Sequence, residues 1–525
     1  MTTTLPERSG LPGGAEYGRW PEPPGFLSAY PGYRGTALLD RLRATEFSYL
    51  DEGGHVYLDH AGAGLPAQAQ LAAHAERIRG QCFGNPHSEN PASAASTELV
   101  EQARHAILAH FNASPHEYTA IFTSNATGAC RLVGEAYPFG PRTRLVLTQD
   151  NHNSVNGIRE FARARGSVTR YVPFGPAELR VDDDAVRQAL ARPGPGLLGA
   201  ARRVARGGMA PARRGLFAYP AQSNFSGVQH PLGWIEMAHE RGYDVLLDAA
   251  AYVPSNRLDL SVVKPDFVPV SWYKVFGYPT GVGCLIARRE ALERLVRPWF
   301  AGGSVYVASV QADWHTPAAD EARFEDGTVS FLQIPDLESG LAWVNGIRMD
   351  LIHQRVMCLT GWLIDRLAAL CHGNGEPMAR IYGPAGTRDR GGTVAFNLLD
   401  PGGRVVDERA VARDTAAAGI SIRTGCFCNP GALEGAFGLT KADWRTALRG
   451  RARTLDEYLG LLGMPSGGAL RASVGMASNI GDVERFVTFV ETTYTDRMVG
   501  TDGLTPRRGC LATAYHSTPI TLPAR

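Results

Sequence analysis

The chain has 525 residues, 53 Lys plus Arg against 52 Asp plus Glu, and 44% hydrophobic residues. That length asks for two lobes or more, and the composition is globular rather than disordered. A net charge of +1 gives no reason to expect a broad nucleic-acid or anionic-membrane surface.

Residues 1 to about 40 are Pro-, Gly- and Tyr-rich without periodicity and read as an extended arm; "MTTTLPERSGLPGG" has no apolar signal-peptide core. "VYLDHAGAGLP" reads as a strand breaking into a loop, and "STELVEQARHAILAHF" (96–111) as a helix. Then "YTAIFTS", "TRLVLTQD", "RRGLFAYPAQ", "YDVLLDAAA", "DFVPVSWYK" and "GVGCLIAR" are apolar strands, alternating with helical stretches such as "ATGACRLVGEAY", "SVNGIREFARARG" and "PLGWIEMAHERG". Such alternation means crossover units and a mostly parallel sheet covered on both faces. The insert at 191–215 is Gly/Ala/Arg/Pro-rich and basic, and without aromatics for stacking it reads as a solvated, flexible segment. From Pro335 one long helical stretch runs to about residue 371, followed by short strands, a helix at 407–418, and the helix "IGDVERFVTFVE". The expected fold is therefore α/β: an arm (1–40), a large lobe (41–335), a smaller α+β C-terminal lobe (336–495) and a tail (496–525). No run is long and uncharged enough to span a membrane. The eight cysteines, mostly isolated in apolar segments, read as reduced, so a cytoplasmic setting is expected.

Four features fall at consecutive strand ends, the edge where α/β proteins bind ligands. Lys274 follows the strand "VPVS" amid Trp272, Tyr273, Val275 and Phe276, a setting that desolvates an amine and suits Schiff-base chemistry. Asp248 ends an apolar strand and needs a cationic partner, for which a protonated pyridine nitrogen of pyridoxal phosphate would serve. "TSNATGA" places small hydroxyl residues at a helix N-terminus, which suits a phosphate. His152 follows a further strand. Each has an ordinary structural reading alone; their combination is far more specific.

A fifth feature is "RTGCFCNPGA" (423–432). C-x-C spacing is poor for a metal clip, and a disulfide across it would be strained. A reactive thiolate on a Gly-flanked mobile loop remains, with Arg423 near enough to favour it.

The sequence resembles the class V aminotransferase superfamily of fold-type I pyridoxal phosphate enzymes. Within it, the chain is similar to the cysteine desulfurases, and above all to the pyridoxal phosphate domain of molybdenum cofactor sulfurases. The residues that carry this are "YLDHAGAGLP", "GNPHS", "LFAYPAQSNFSG", "LLDAAAYVPSNRLDLS", "SWYKVFGYPTGVG", "FEDGTVSF" and "RTGCFCNPGA", in the same order over roughly residues 50–490. The resemblance implies that Lys274 bonds the cofactor and later moves a Cα proton. It puts Asp248 at the ring nitrogen, His152 on the ring face and Asn224 at the ring hydroxyl. Ala126, Thr127 and Ser271 would hold the phosphate, with Tyr273 in the same shell and Thr328 reaching in from the second subunit of a homodimer. Arg471 would bind the carboxylate of the substrate L-cysteine. Cys428 aligns with the nucleophile that takes the sulfur as a persulfide, and Cys426 is a neighbour that would resolve or shield it. Ala251 and Tyr273 stand where simpler desulfurases carry Gln and His, a feature of the cofactor-sulfurase branch. Roughly 30 residues follow the matched region, too few for the molybdenum-cofactor-binding domain of the larger sulfurases, so the acceptor is an unknown protein or small molecule. The alternatives are another class V enzyme (C–S lyase, selenocysteine lyase, epimerase or aminotransferase) and a catalytically idle scaffold.

Overall fold

The computed structural model describes residues 22–86, 88–191, 215–319, 321–449, 454–501 and 503–507. The basic insert, the first 21 residues of the arm and the tail from 508 lie outside the described residues. In chain order the strands are β1 (Val56–Tyr57), β2 (Tyr118–Thr123), β3 (Arg144–Thr148), β4 (Val168–Val172), β5 (Gly215–Pro220), β6 (Tyr243–Asp248), β7 (Phe267–Ser271) and β8 (Gly283–Arg288). After them come β9 (Val305–Ser309), β10 (Trp314–Pro317), β11 (Ala379–Tyr382), β12 (Thr393–Leu398), β13 (Ile420–Ser421), β14 (Arg423–Gly425) and β15 (Ala469–Ser473). The helices that matter here are α1 (Ala37–Glu46), α2 (Pro91–His110), α3 (Ala126–Ala136), α4 (Asn153–Asn156), α5 (Trp272–Phe276), α6 (Asp336–Ile347), α7 (Met349–Ala369), α8 (Pro430–Ala436) and α9 (Ile480–Tyr494).

The main sheet has the order β2-β8-β7-β6-β5-β3-β4 and is parallel except for β8, antiparallel to both neighbours. Its inner strands are largely apolar because both faces are covered, whereas the edge strand β4 (VTRYV) buries fully only Val172. Alternate residues serve the two faces: Val146, Phe217, Tyr219, Val245 and Leu247 join the cluster with α2, α6 and α7, whereas Leu145, Leu147, Leu216, Ala218 and Leu246 meet α3. The C-terminal ends of β2, β3, β5, β6 and β7 consequently share one edge, where Pro220 pairs with Asp248 and Ser271 with Gly283.

The C-terminal portion builds a four-stranded antiparallel sheet, β11-β12-β15-β14. β1 pairs in parallel with β13 as a separate two-stranded sheet, and just after it Asp59 bridges in parallel to Ser473 at the end of β15, so the stretch expected as a strand near residue 56 pairs with the C-terminal portion. The apolar cluster under α7 is continuous with that of α9, where Val483, Phe486, Val487 and Val490 are buried.

Three expectations are corrected. Residues 22–40 are not an extended arm. A helix at Phe26–Ala29, a 3-10 helix at Pro31–Thr36 and α1 pack onto α7. Phe26 is fully buried against Trp362, and the buried Arg355 guanidinium donates to Tyr33 Oη (2.8 Å) and Asp40 Oδ1 (2.7 Å). An aperiodic sequence hid this because the partners lie more than 300 residues away. The long helix from Pro335 is two helices: Arg348 takes φ +81°, which breaks it between α6 and α7. The helix read from "SVNGIREFARARG" is likewise split, into α4 and a helix at Ile158–Ala164 flanking Gly157.

Two glycines show what the close approach of loops demands. Gly277 (φ +77°) ends α5, its N–H donating to Tyr273 C=O (3.0 Å), and a Cβ there would lie 2.2 Å from Pro66 N. Gly281 shares the left-handed conformation (φ +74°) but faces open space. Gly281→Ala should therefore cost about 1–2 kcal/mol from conformation alone, and Gly277→Ala clearly more. Urea denaturation of both variants measures the difference, and equal losses would show that the contact with the 65–66 backbone is unimportant.

Candidate active site

The shared sheet edge surrounds a cavity of about 320 Å³. β2 leads to Ser124–Thr127, β3 to His152, β5 to Gln222 and Asn224, β6 ends on Asp248, and β7 leads to Ser271, Tyr273 and Lys274; all of these line it. Lys274 is not on the strand but two turn-residues into α5, which aims its amine back over the edge. A second, smaller cavity shares Lys274, Gln222, Ala250 and Ala251 with the first and is walled by His60, Ser255 and the 473–477 loop. The expected site residues that line the first cavity, Ala126 to Lys274, are thus gathered from the ends of several strands.

The electrostatics follow from burial. Desolvation pushes the Lys274 ammonium down, against the pull of Asp248, and Arg471 and Arg423 lower it further. His152 is pushed down to about 4, first by burial and then by Lys274, so its imidazole is neutral. It caps α4, Nδ1 accepting from Ser154 N–H (3.1 Å). Asp248 is 9% exposed, and its Oδ1 accepts from Ala250 N–H (3.0 Å), which fixes the carboxylate under the cavity. At the other end, α3 begins at Ala126, whose N–H donates to Ser271 Oγ (2.9 Å), while Thr127 Oγ1 and Ser154 Oγ are 2.7 Å apart. A helix N-terminus ringed by three hydroxyls is an anion seat.

These residues fit a phosphorylated pyridine. One cavity is lined by both an anion seat and a buried carboxylate, and it holds a neutral imidazole and a desolvated amine. Asp248, buried at the end of a strand and with no cation bonded to its side chain among the described residues, has the environment that a protonated ring nitrogen would complete.

Three expected site residues lie outside this cavity. Thr328 is exposed in the loop after Phe324, away from the cavity of its own chain. Arg471 on β15 is buried; its Nη2 donates to Asp59 Oδ1 (3.0 Å) and its Nη1 to Asn224 C=O (3.0 Å), while Nε has no partner among the described residues. Cys428 is exposed, but the loop expected to be mobile is tied down: Cys428 C=O accepts from Asn153 N–H (2.7 Å) and Phe427 C=O from Asn224 Nδ2 (2.8 Å). Asn224 itself lines the cavity while its amide holds that loop.

Sequence reasoning missed two groups. Asp59 accepts from both Arg471 and Arg423 (2.6 Å from Nη2); burial pushes its carboxyl up, but the two guanidiniums outweigh this and hold it below its ordinary value. Arg423 is therefore bound to Asp59 rather than free to stabilise a thiolate. An acid following the β1 strand in "YLDHAG" carried the same signal as Asp248. Asn429, fully buried, was read only as part of a turn.

Known proteins share this fold. The cysteine desulfurase of Thermococcus onnurineus NA1 superposes with a TM-score of 0.68 at 21% identity, covering 87% of this chain and 98% of that one. Cysteine desulfurase CsdA of Escherichia coli gives 0.64 at 21%, with coverages of 86% and 98%. The fold is thus that of the desulfurase-type, fold-type I α/β proteins. A sequence profile of Aminotransferase class-V matches residues 56–193 and 210–486, and the chain belongs to that family. Molybdenum cofactor sulfurase of Solanum lycopersicum is 36% identical over 506 residues, 92% of this chain and 61% of that protein. The Homo sapiens protein of the same name is 36% identical over 480 residues, with coverages of 87% and 52%. The chain therefore spans about half to three fifths of these relatives' length.

Burial also depresses His60 to about 4. Unfolded histidines titrate near pH 6.5, so between about 6.5 and 4 the unfolded chain binds the extra protons. Stability contributed by the neutral His60 and His152 is present above about pH 6.5 and is lost as pH falls through that window. The double variant His60→Asn/His152→Asn should flatten the acid-side slope of unfolding free energy by up to about two protons, read from urea titrations across the window. An unchanged slope would show that neither imidazole is held neutral.

Proposed function

We propose that the protein is a pyridoxal phosphate-dependent cysteine desulfurase, which converts L-cysteine to L-alanine and leaves the sulfur as a persulfide on Cys428. The observation that carries this is the convergence of an anion seat, a buried carboxylate, a neutral imidazole and a desolvated amine on one cavity, with a cysteine turn bonded to its wall. Bound there, pyridoxal phosphate would supply an electron sink for the pair left when a bond at the substrate's Cα breaks.

The chain's own groups would act as follows. The N-terminus of α3 with Thr127 and Ser271 holds the phosphate, Asp248 the ring nitrogen and His152 the ring face. Arg471, whose Nε has no partner among the described residues, takes the substrate carboxylate. Lys274, whose ammonium is disfavoured by burial, accepts the Cα proton and later returns it. The Cys428 thiolate attacks the substrate sulfur; the carbon–sulfur bond breaks, its pair leaves with the carbon, and a proton there completes alanine. The sulfur, now bonded to Cys428, passes to a separate protein or small molecule. We further infer a homodimer in which Thr328 faces the partner's cavity. The nearby hairpin β9–β10 supports this, because Tyr306, Val307 and Trp314 expose apolar surface in the single chain. A reducing, cytoplasmic setting is supported by the described cysteines, none of which forms a disulfide; among the described residues no helix is long and apolar enough to cross a membrane.

One observation favours a second reading, a C–S lyase that dispenses with Cys428: that residue does not line the cavity. Incubation with L-cysteine separates the two. Under the desulfurase reading, alanine forms, peptide mass finds one extra sulfur on Cys428, and Cys428→Ser loses about 10²–10⁴-fold in alanine formation with its cofactor absorbance intact. Full alanine formation by Cys428→Ser would remove the thiol from the mechanism, and pyruvate in place of alanine would establish the lyase. Lys274→Ala should abolish both products and the visible band of the bound cofactor.

A further inference from the structure

Cys428 sits in a turn that the chain would not adopt unaided. Asn429 N–H donates to Cys426 C=O at 2.9 Å, and the two residues between, Phe427 and Cys428, have φ of +54° and +55°. Two successive positive φ values mark a primed turn, which ordinarily takes Asn, Asp or Gly. Here a bulky aromatic and the expected nucleophile occupy it. Such strain persists only where the surroundings over-determine the conformation, and it gathers at functional sites.

The surroundings are the edge of the main sheet. Phe427 C=O accepts from Asn224 Nδ2 (2.8 Å), and Cys428 C=O accepts from the N–H of Asn153, the first residue of α4 (2.7 Å). Asn429, with no exposed surface, donates through Nδ2 to Asp150 C=O (2.7 Å) and Asn224 Oδ1 (2.9 Å), and its Oδ1 accepts from Ala432 N–H (3.1 Å) to cap α8. Gly431 then passes so close to the β3 loop that a Cβ would lie 2.0 Å from Gln149 C=O. The Phe427 ring is sandwiched by Phe225 (5.3 Å) and the Arg471 guanidinium (4.7 Å). Of the three residues that these bonds reach, Asn224 lines the cavity, Asn153 lies between the lining residues His152 and Ser154, and Asp150 is two residues before His152.

We propose that Asn429 and Asn224 are positioning residues: together they clamp the strained Cys426–Asn429 turn against the His152 wall, and Asn224, shared with the cavity, couples the cavity's occupancy to the placement of the Cys428 thiol. Neither amide touches the sulfur or needs to. Their effect is to keep Phe427 and Cys428 at positive φ; without the clamp both residues relax to negative φ and the thiol shifts by ångströms. A misplacement of that size costs on the order of 10²-fold in rate.

The inference rests on the desulfurase reading, and the test is built to separate the two. In the cofactor-loaded full chain, Asn429→Ser keeps a capping oxygen for α8 and deletes the amide donor. Asn153→Pro deletes the N–H that meets Cys428 C=O, at a first helical position that accepts proline after a residue with ψ of 151°; it serves if the first variant does not fold. Both should lower kcat for alanine formation by about 10- to 100-fold, with KM for L-cysteine and the cofactor absorbance unchanged. Alkylation of Cys428 by iodoacetamide without substrate, followed by peptide mass, should speed up several-fold. A kcat within twofold of the unsubstituted chain in both variants overturns the proposal, as does a loss explained by a raised KM or an altered absorbance. Absence of alanine and persulfide in the unsubstituted chain would instead bring down the desulfurase reading; alkylation rates unchanged by either variant would then overturn the clamp as well.

Discussion

The buried pair between Arg471 and Asp59 is the contact on which the rest depends. Arg471 belongs to the four-stranded sheet, Asp59 follows the N-terminal strand β1 and bridges to Ser473 at the end of β15, and the carbonyl that receives the other guanidinium nitrogen belongs to Asn224 on the main sheet's edge. One cation thus ties three distant stretches of chain. Breaking such a pair costs about 3–5 kcal/mol because the remaining charge stays buried. The pair contributes little to net stability compared with an apolar contact of the same size. What it does contribute is orientation, since a guanidinium between a carboxylate and a carbonyl has almost no rotational freedom.

From that contact the geometry of the site propagates outward. With Asn224 fixed through its carbonyl by Arg471, its side chain has one orientation that satisfies both Phe427 and Asn429, and the cysteine turn follows. On the other side the parallel strands do their part through length alone: because β3, β5, β6 and β7 end together, an amine, a carboxylate and an imidazole that follow separate strands line one cavity. Burial then shapes the chemistry, lowering the pKa of Lys274 and keeping His152 neutral near neutral pH.

How much of this was legible in the sequence depended on range. The main sheet was readable because its strands are uninterrupted apolar runs, and Asp248, His152 and Lys274 stood out because a polar group at the end of such a run is conspicuous. Local pattern also suggested the phosphate seat at Ala126 and Thr127. The N-terminal helices were not readable, since Phe26, Tyr33 and Asp40 are held by Trp362 and Arg355 and no local periodicity records that. The break at Arg348 left only a nearby glycine as a sign. The Asp59 pairing and the Asn429 clamp were invisible for the same reason: each links positions hundreds of residues apart, and an asparagine before Pro-Gly looks like any turn.

The pairing of β1 with β13 has a further consequence for the order in which the molecule can be made. A chain emerging from the ribosome presents the cavity-lining loops of the main sheet first, and these can assemble as soon as β8 is available. Asp59 must wait until residues 423 and 471 have appeared before its partners exist, and the cysteine turn waits with it. The seat for the cofactor can therefore exist in a partly synthesised chain, whereas the thiol reaches its position only in a nearly finished one. Synthesis itself thus keeps the Cys428 thiol from being set in place before the rest of the protein surrounds it.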